Sequence, residues 1–119
     1  MKANPPEHLE PFEVERPLKH GDTIDLGDTV IHCHHTPGHT PGTMSFTFDV
    51  RIDGQRYMAG LFGGPGTHPL KKGSPCRYPG NREEFVRTLD YLMGLDVDVW
   101  LGAHPFVNNT LCKYERLQD

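Results

Sequence analysis

A chain of 119 residues has room for one domain, and folding at that size hides only about 60 to 70% of the surface an unfolded chain exposes, so its core is small. The net charge of −4 with no basic run excludes the electrostatic footprint of a nucleic-acid binder or an anionic-membrane patch. No apolar stretch reaches membrane-span length, and three widely spaced cysteines without a C-x-x-C pair (Cys33, Cys76 and Cys112) indicate neither a disulfide framework nor a cysteine-rich zinc module.

Residues 1–11 hold three prolines and few apolar side chains, which predicts an extended arm at the start of a single 1–119 domain. This Pro-rich, acidic start is unlike an export leader, so the expected location is cytoplasmic. Thr23–Leu26 and Thr29–His35 read as two short strands joined by a turn at Gly27-Asp28. Alternation puts Val30, His32 and His34 on one face of the second strand and Ile31, Cys33 and His35 on the other, so this histidine cluster cannot chelate one ion together. Apolar Met44, Phe46 and Phe48 then alternate with Ser45 and Thr47, predicting a strand over 43–51, a turn at Asp53-Gly54-Gln55 and a return strand over 56–59. A long Gly- and Pro-rich stretch, 60–80, reads as a functional or partner-covered loop.

The spacing of Phe85, Val86, Leu89, Leu92 and Met93 predicts an amphipathic helix over 82–93, with Asn81 as N-cap, Glu84 as its N3 acid and Gly94 as the closing C′ glycine. Val97, Val99 and Leu101 alternate as a short strand over 97–101, and a last helix is expected over 109–117 with Leu111, Tyr114 and Leu117 on one face. The elements predict an α+β fold: one mostly antiparallel sheet with helix packed on a single face.

Four of the eight histidines fall within eight residues, His32, His34, His35 and His39, and two Pro-Gly pairs frame the last of them. Each Pro fixes its own φ and extends the residue before it, while each Gly admits positive φ, so His39 is held on a rigid turn between strands. His104, in Gly102-Ala103-His104-Pro105, is a second imidazole at a strand tip. Imidazole is the commonest side-chain metal ligand and coordinates without burying a charge.

The run Thr36-Pro37-Gly38-His39-Thr40-Pro41-Gly42 resembles the third histidine motif of the metallo-β-lactamase superfamily. The likeness continues through Met58-Ala59-Gly60-Leu61-Phe62-Gly63-Gly64-Pro65-Gly66, Cys76-Arg77-Tyr78-Pro79 and the segment from Val97 to Pro105. In order and spacing these motifs are similar to the di-zinc, His-rich subclass of β-lactamases and related hydrolases. The resemblance implies half of an αββα sandwich, zinc as cofactor, and His39 and His104 as metal ligands for two different ions. It implies no ligand role for His34 or His35, and His8, His20, His32 and His68 read as surface residues. The family's HxHxDH signature, which lies in its N-terminal half and supplies most of its ligands, appears nowhere in the 119 residues. Ala59-Gly60-Leu61 falls where the family commonly carries a second-metal Asp, Cys or Ser, and Gly and Leu coordinate nothing.

The resemblance is therefore to the C-terminal half of a zinc hydrolase acting on a β-lactam, lactone or thioester, with no hydrolysis expected of the isolated chain. The alternatives are a homo-oligomeric metal-binding protein or hydrolase with a site shared between chains, and a non-enzymatic module that binds a small molecule or protein through the 60–80 cleft. The expected partner is a second copy in a two-fold dimer, or the missing N-terminal half; neither nucleic acid nor membrane is expected.

Overall fold

The computed structural model describes residues 12–118, so the arm expected at 1–11 lies outside the described residues. The strands are β1 (Thr23–Leu26), β2 (Thr29–His35), β3 (Met44–Ile52), β4 (Gln55–Leu61) and β5 (Val99–Leu101). The helices are α1 (Asn81–Met93) and α2 (Thr110–Gln118), with a 3₁₀ turn at His68–Leu70. The sheet order is β1-β2-β3-β4-β5; the first three pairings are antiparallel and β4–β5 is parallel. Local chemistry sets the meander. At the β3–β4 turn Asp53 (φ 51°) and Gly54 (φ 79°) both take positive φ, the two-residue hairpin geometry whose twist suits its strands. The parallel partner β5 needs a crossover, and the segment carrying α1 provides it.

Register divides the sheet into two unlike faces, because residues opposite one another share a face. His34 stands opposite Ser45, and Thr47 and Trp100 each pair with Gly60, so one face is polar or small at its centre. α1 packs against this side: Phe85, Thr88 and Leu92 are buried at helical spacing, Thr88 donates from Oγ1 to the Pro37 carbonyl (2.7 Å), and the Tyr91 hydroxyl bonds the His34 ring. On the other face Cys33, Phe46, Leu61 and Leu101 align, as do Phe48, Ala59 and Val99. Its β5 end is open, with Val99 36% and Leu101 43% exposed.

Phe85 and Leu92 are buried as expected, whereas Leu89 is partly exposed and lines a cavity of about 240 Å³ with Phe62, Leu92, Met93 and Trp100. Strand β5 starts at Val99 rather than at 97, because Asp98 uses its backbone N–H on the Met58 carbonyl (2.9 Å) and its carboxylate on the Met58 N–H (2.8 Å). The last helix forms, but Leu111, Tyr114 and Leu117 all face outward.

Two capping expectations fail. The N-cap is Gly80, whose left-handed φ of 80° swings the chain into the helix; Asn81 lies inside it, buried, and donates from Nδ2 to the Pro69 carbonyl (3.1 Å). Gly94 keeps right-handed geometry (φ −81°) and its N–H bonds back to the Asp90 and Tyr91 carbonyls, so it extends the last turn instead of reversing it.

Asn81 thus ties the 60–80 loop to the helix, and Asn81→Ala should cost about 1–3 kcal/mol by leaving a buried carbonyl unpaired. Urea unfolding measures this. Asn81→Ser, which can cap but cannot reach Pro69, should lose as much; recovery of stability with Ser would restore the capping role.

Candidate metal centre

The loop at 36–43 is fastened across its base. Thr36, fully buried, donates its N–H to the Thr43 carbonyl (2.9 Å) and shares a hydrogen bond with the Ser45 hydroxyl (2.7 Å). Within the loop the Thr40 and Thr43 hydroxyls share a bond (2.8 Å), and the Thr40 N–H donates to Thr43 Oγ1 (3.1 Å). Gly38 adopts φ 130°, and a Cβ there would stand 2.6 Å from the Phe85 Cα, so only glycine lets the loop lie on α1. These bonds leave His39 at the tip.

The half-buried His39 ring is oriented from the opposite side by the loop after β4. Its Nδ1 lies 2.6 Å from the Gly66 carbonyl, which can only accept, so Nδ1 carries the proton and Nε2 presents a lone pair. Gly64 gives close passage, since a Cβ there would meet the His39 Cβ at 2.7 Å. A second imidazole stands beside it: the His68 ring centroid is 5.2 Å from that of His39, with the planes at 81°. His68 is indeed exposed, as the sequence reading had it, but its place beside His39 was missed. The available signal was a histidine two residues after a glycine and directly before a proline, in the loop that also carries Gly64 and Gly66.

Topology puts His104 at the same end of the sheet. Strands β2, β4 and β5 all run towards that end, His39 follows β2, the Gly63–Gly66 loop follows β4, and His104 follows β5. Yet the rings have different neighbours: exposed His104 lies parallel to Phe106, centroids 5.2 Å apart and planes 4° apart. Among the described residues no three His, Cys, Asp or Glu side chains form a metal-binding group. Gly60, in the middle of the Ala59-Gly60-Leu61 segment, sits under the Trp100 indole, and a Cβ there would clash at 2.8 Å.

The other histidines of the cluster serve the fold. His34 bridges the Tyr91 hydroxyl (2.7 Å, Nδ1) and Thr47 Oγ1 (2.8 Å, Nε2), and His35 donates from Nε2 to the Pro41 carbonyl (2.8 Å). The His20 Nδ1 accepts the His35 N–H (3.2 Å), and its ring meets His34 and Tyr91 edge-on. Burial holds the His34 pKa below the usual histidine value, and nearby His20 and His32 push it the same way. Elsewhere, burial and a hydrogen bond to Glu84 (2.5 Å) push the Tyr78 hydroxyl up to about 12, and burial raises the Cys33 thiol, which is therefore a poor nucleophile.

As a zinc donor set this arrangement fits in quality and falls short in number. An imidazole anchored through Nδ1 with Nε2 free is the form in which histidine meets zinc, whereas a catalytic zinc takes three protein ligands and a structural one four. One sheet, a helix on its polar face and histidines at one sheet end together make an α+β layer with its imidazoles at a single edge.

No family profile matches the chain, but solved structures do. The chain is 31% identical to the subclass B3 metallo-β-lactamase of Bradyrhizobium japonicum, with a TM-score of 0.76 over 87% of this chain and 39% of that one. It is 34% identical to a class B3 di-zinc metallo-β-lactamase from an Alaskan soil metagenome (TM-score 0.64; 81% and 37%). It is 31% identical to a metallo-β-lactamase from Legionella gormanii (TM-score 0.73; 85% and 39%). The chain matches in fold part of these metallo-β-lactamases, and it spans 37 to 39% of the length of the three proteins.

The depressed His34 pKa fixes the sign of a pH effect. Above the unfolded value near 6.5 the ring is neutral in both states and the folded state keeps its full stability; as pH falls below 6.5 the unfolded chain takes the proton first, and stability declines towards the lower folded pKa. Urea midpoints at pH 7.5 and 5.5 should therefore differ, with the lower midpoint at 5.5. His34→Gln should reduce that difference.

Proposed function

We propose that this chain is the metal-binding C-terminal half of a zinc-dependent hydrolase fold, with His39 and His104 as metal ligands, and that it does not hydrolyse substrate by itself. The observation that carries the reading is the His39 imidazole, whose Nδ1–H donates to the Gly66 carbonyl so that Nε2 is the nitrogen carrying the lone pair. Zinc, when bound, lowers the pKa of its water towards 7 and polarises a carbonyl. The residues of this chain bind and orient: the Thr36–Thr43 base fixes the loop, Gly66 sets the tautomer, and His39 presents the lone pair. What they do not assemble, among the described residues, is a third donor. The solved structures of like fold are β-lactamases, which supports a β-lactam amide as the bond cut by a complete fold of this kind.

The purified chain should bind zinc weakly in calorimetric titration, His39→Ala should abolish that binding, and a chromogenic cephalosporin should turn over at no more than the background rate. Zinc-dependent turnover of the wild-type chain above background would refute the inactive reading.

The open face favours a second statement, that two copies pair. Phe46, Phe48 and Leu61 share a face with the exposed Val99 and Leu101, and a second copy carries the same patch for an isologous contact. Stable pairing needs roughly 1,200–2,000 Å² of total burial, which a sheet face can supply. Light scattering at micromolar concentration should give twice the mass of one chain, and Leu101→Glu should return the monomer.

A further inference from the structure

We propose that His68 is a second metal ligand beside His39, so that the chain holds a borderline divalent cation, zinc or copper(II), through two imidazoles from two different loops. The inference rests on the reading of His39 as a ligand and adds a donor to it. Two imidazoles bound at about 2 Å to one tetrahedral ion place their ring centroids roughly 5 Å apart. The His39 and His68 centroids are 5.2 Å apart.

Packed aromatic pairs reach similar separations, so the surroundings decide. Both rings flank one side of Gly66: a Cβ there would lie 3.0 Å from the His39 Cε1 and 3.6 Å from the His68 Nδ1. The Gly66 carbonyl accepts a hydrogen bond from the His39 Nδ1–H, so it is the Nε2 of His39 that is left to coordinate.

The backbone of His68 is also built in place. His68 opens the 3₁₀ turn, whose Leu70 N–H donates to the Thr67 carbonyl (3.0 Å). The next residue, Pro69, is fully buried, and its carbonyl accepts the Asn81 side chain. A ligand on a backbone already ordered costs little further entropy to fix. The His68 side chain is exposed, so an ion reaches it from solvent. Two neutral nitrogens with water completing the shell suit zinc and copper(II) and give little to magnesium or calcium. His104, lying on Phe106, has no part in the pair.

The test uses the full chain and the metal alone. Zinc titration should show His68→Phe, which keeps a ring in place, binding at least about tenfold more weakly, no less than the loss of an outer-shell partner costs. Electron spin-echo spectra of the copper(II) form should show two coordinated imidazoles in the wild-type chain and one in His68→Phe, with circular dichroism confirming the fold. If His68→Phe binds as the wild type does while His39→Ala does not bind, the His68 assignment is overturned and the His39 reading stands. If His39→Ala also binds as the wild type, both are overturned.

Discussion

The fastening at the base of the 36–43 loop is the interaction on which the rest depends. Thr36 closes β2 onto β3 through the Thr43 carbonyl and the Ser45 hydroxyl, and Ser45 in turn accepts the Gly63 N–H (3.2 Å) from the loop after β4. The two ends of one loop and the start of another meet at buried hydroxyls. From there Pro37 and Gly38 reach α1, and His39 reaches Gly66. Removing any one partner would leave a buried polar group unpaired, which costs more than the bond itself contributes.

This explains an unusual division of labour between the two faces. The face under α1 is carried by Ser45, Thr47 and His34, with Phe85 and Leu92 as its main apolar contribution, while the richer apolar set lies on the other side. Every buried side-chain polar atom among the described residues has a partner, so the hydroxyl layer is complete. Directional bonds fix the helix and loops in one register, and that register points His39 and His104 towards the same end of the sheet.

The hairpins, the helix and the segregation of His32 and His34 from Cys33 and His35 were legible in the sequence because their causes are local: turn chemistry at Gly27 and Asp53-Gly54, period-two alternation, and helical spacing. The family motifs made the fold and its partial extent legible as well. The failures share another cause. Asn81 looks like a cap by spacing, but its partner is Pro69, twelve residues back along an irregular loop, and Gly80 takes the cap position through its own positive φ. His68 looked like an isolated surface residue because nothing in the local pattern says that the loop after β4 folds onto the loop after β2. Position in space, not residue type, carries that part of the site.

The sheet's two edges are its shortest strands, four residues in β1 and three in β5, while β3 at its centre has nine. The β1 edge is further occupied, since Arg16 donates to the Thr23 carbonyl (2.8 Å). Short, partly spent edges offer little template for strand addition, the route by which exposed sheets grow into fibrils. The chain therefore couples an apolar face that is open only at its β5 end to edges too short and too occupied for open-ended, strand-by-strand growth.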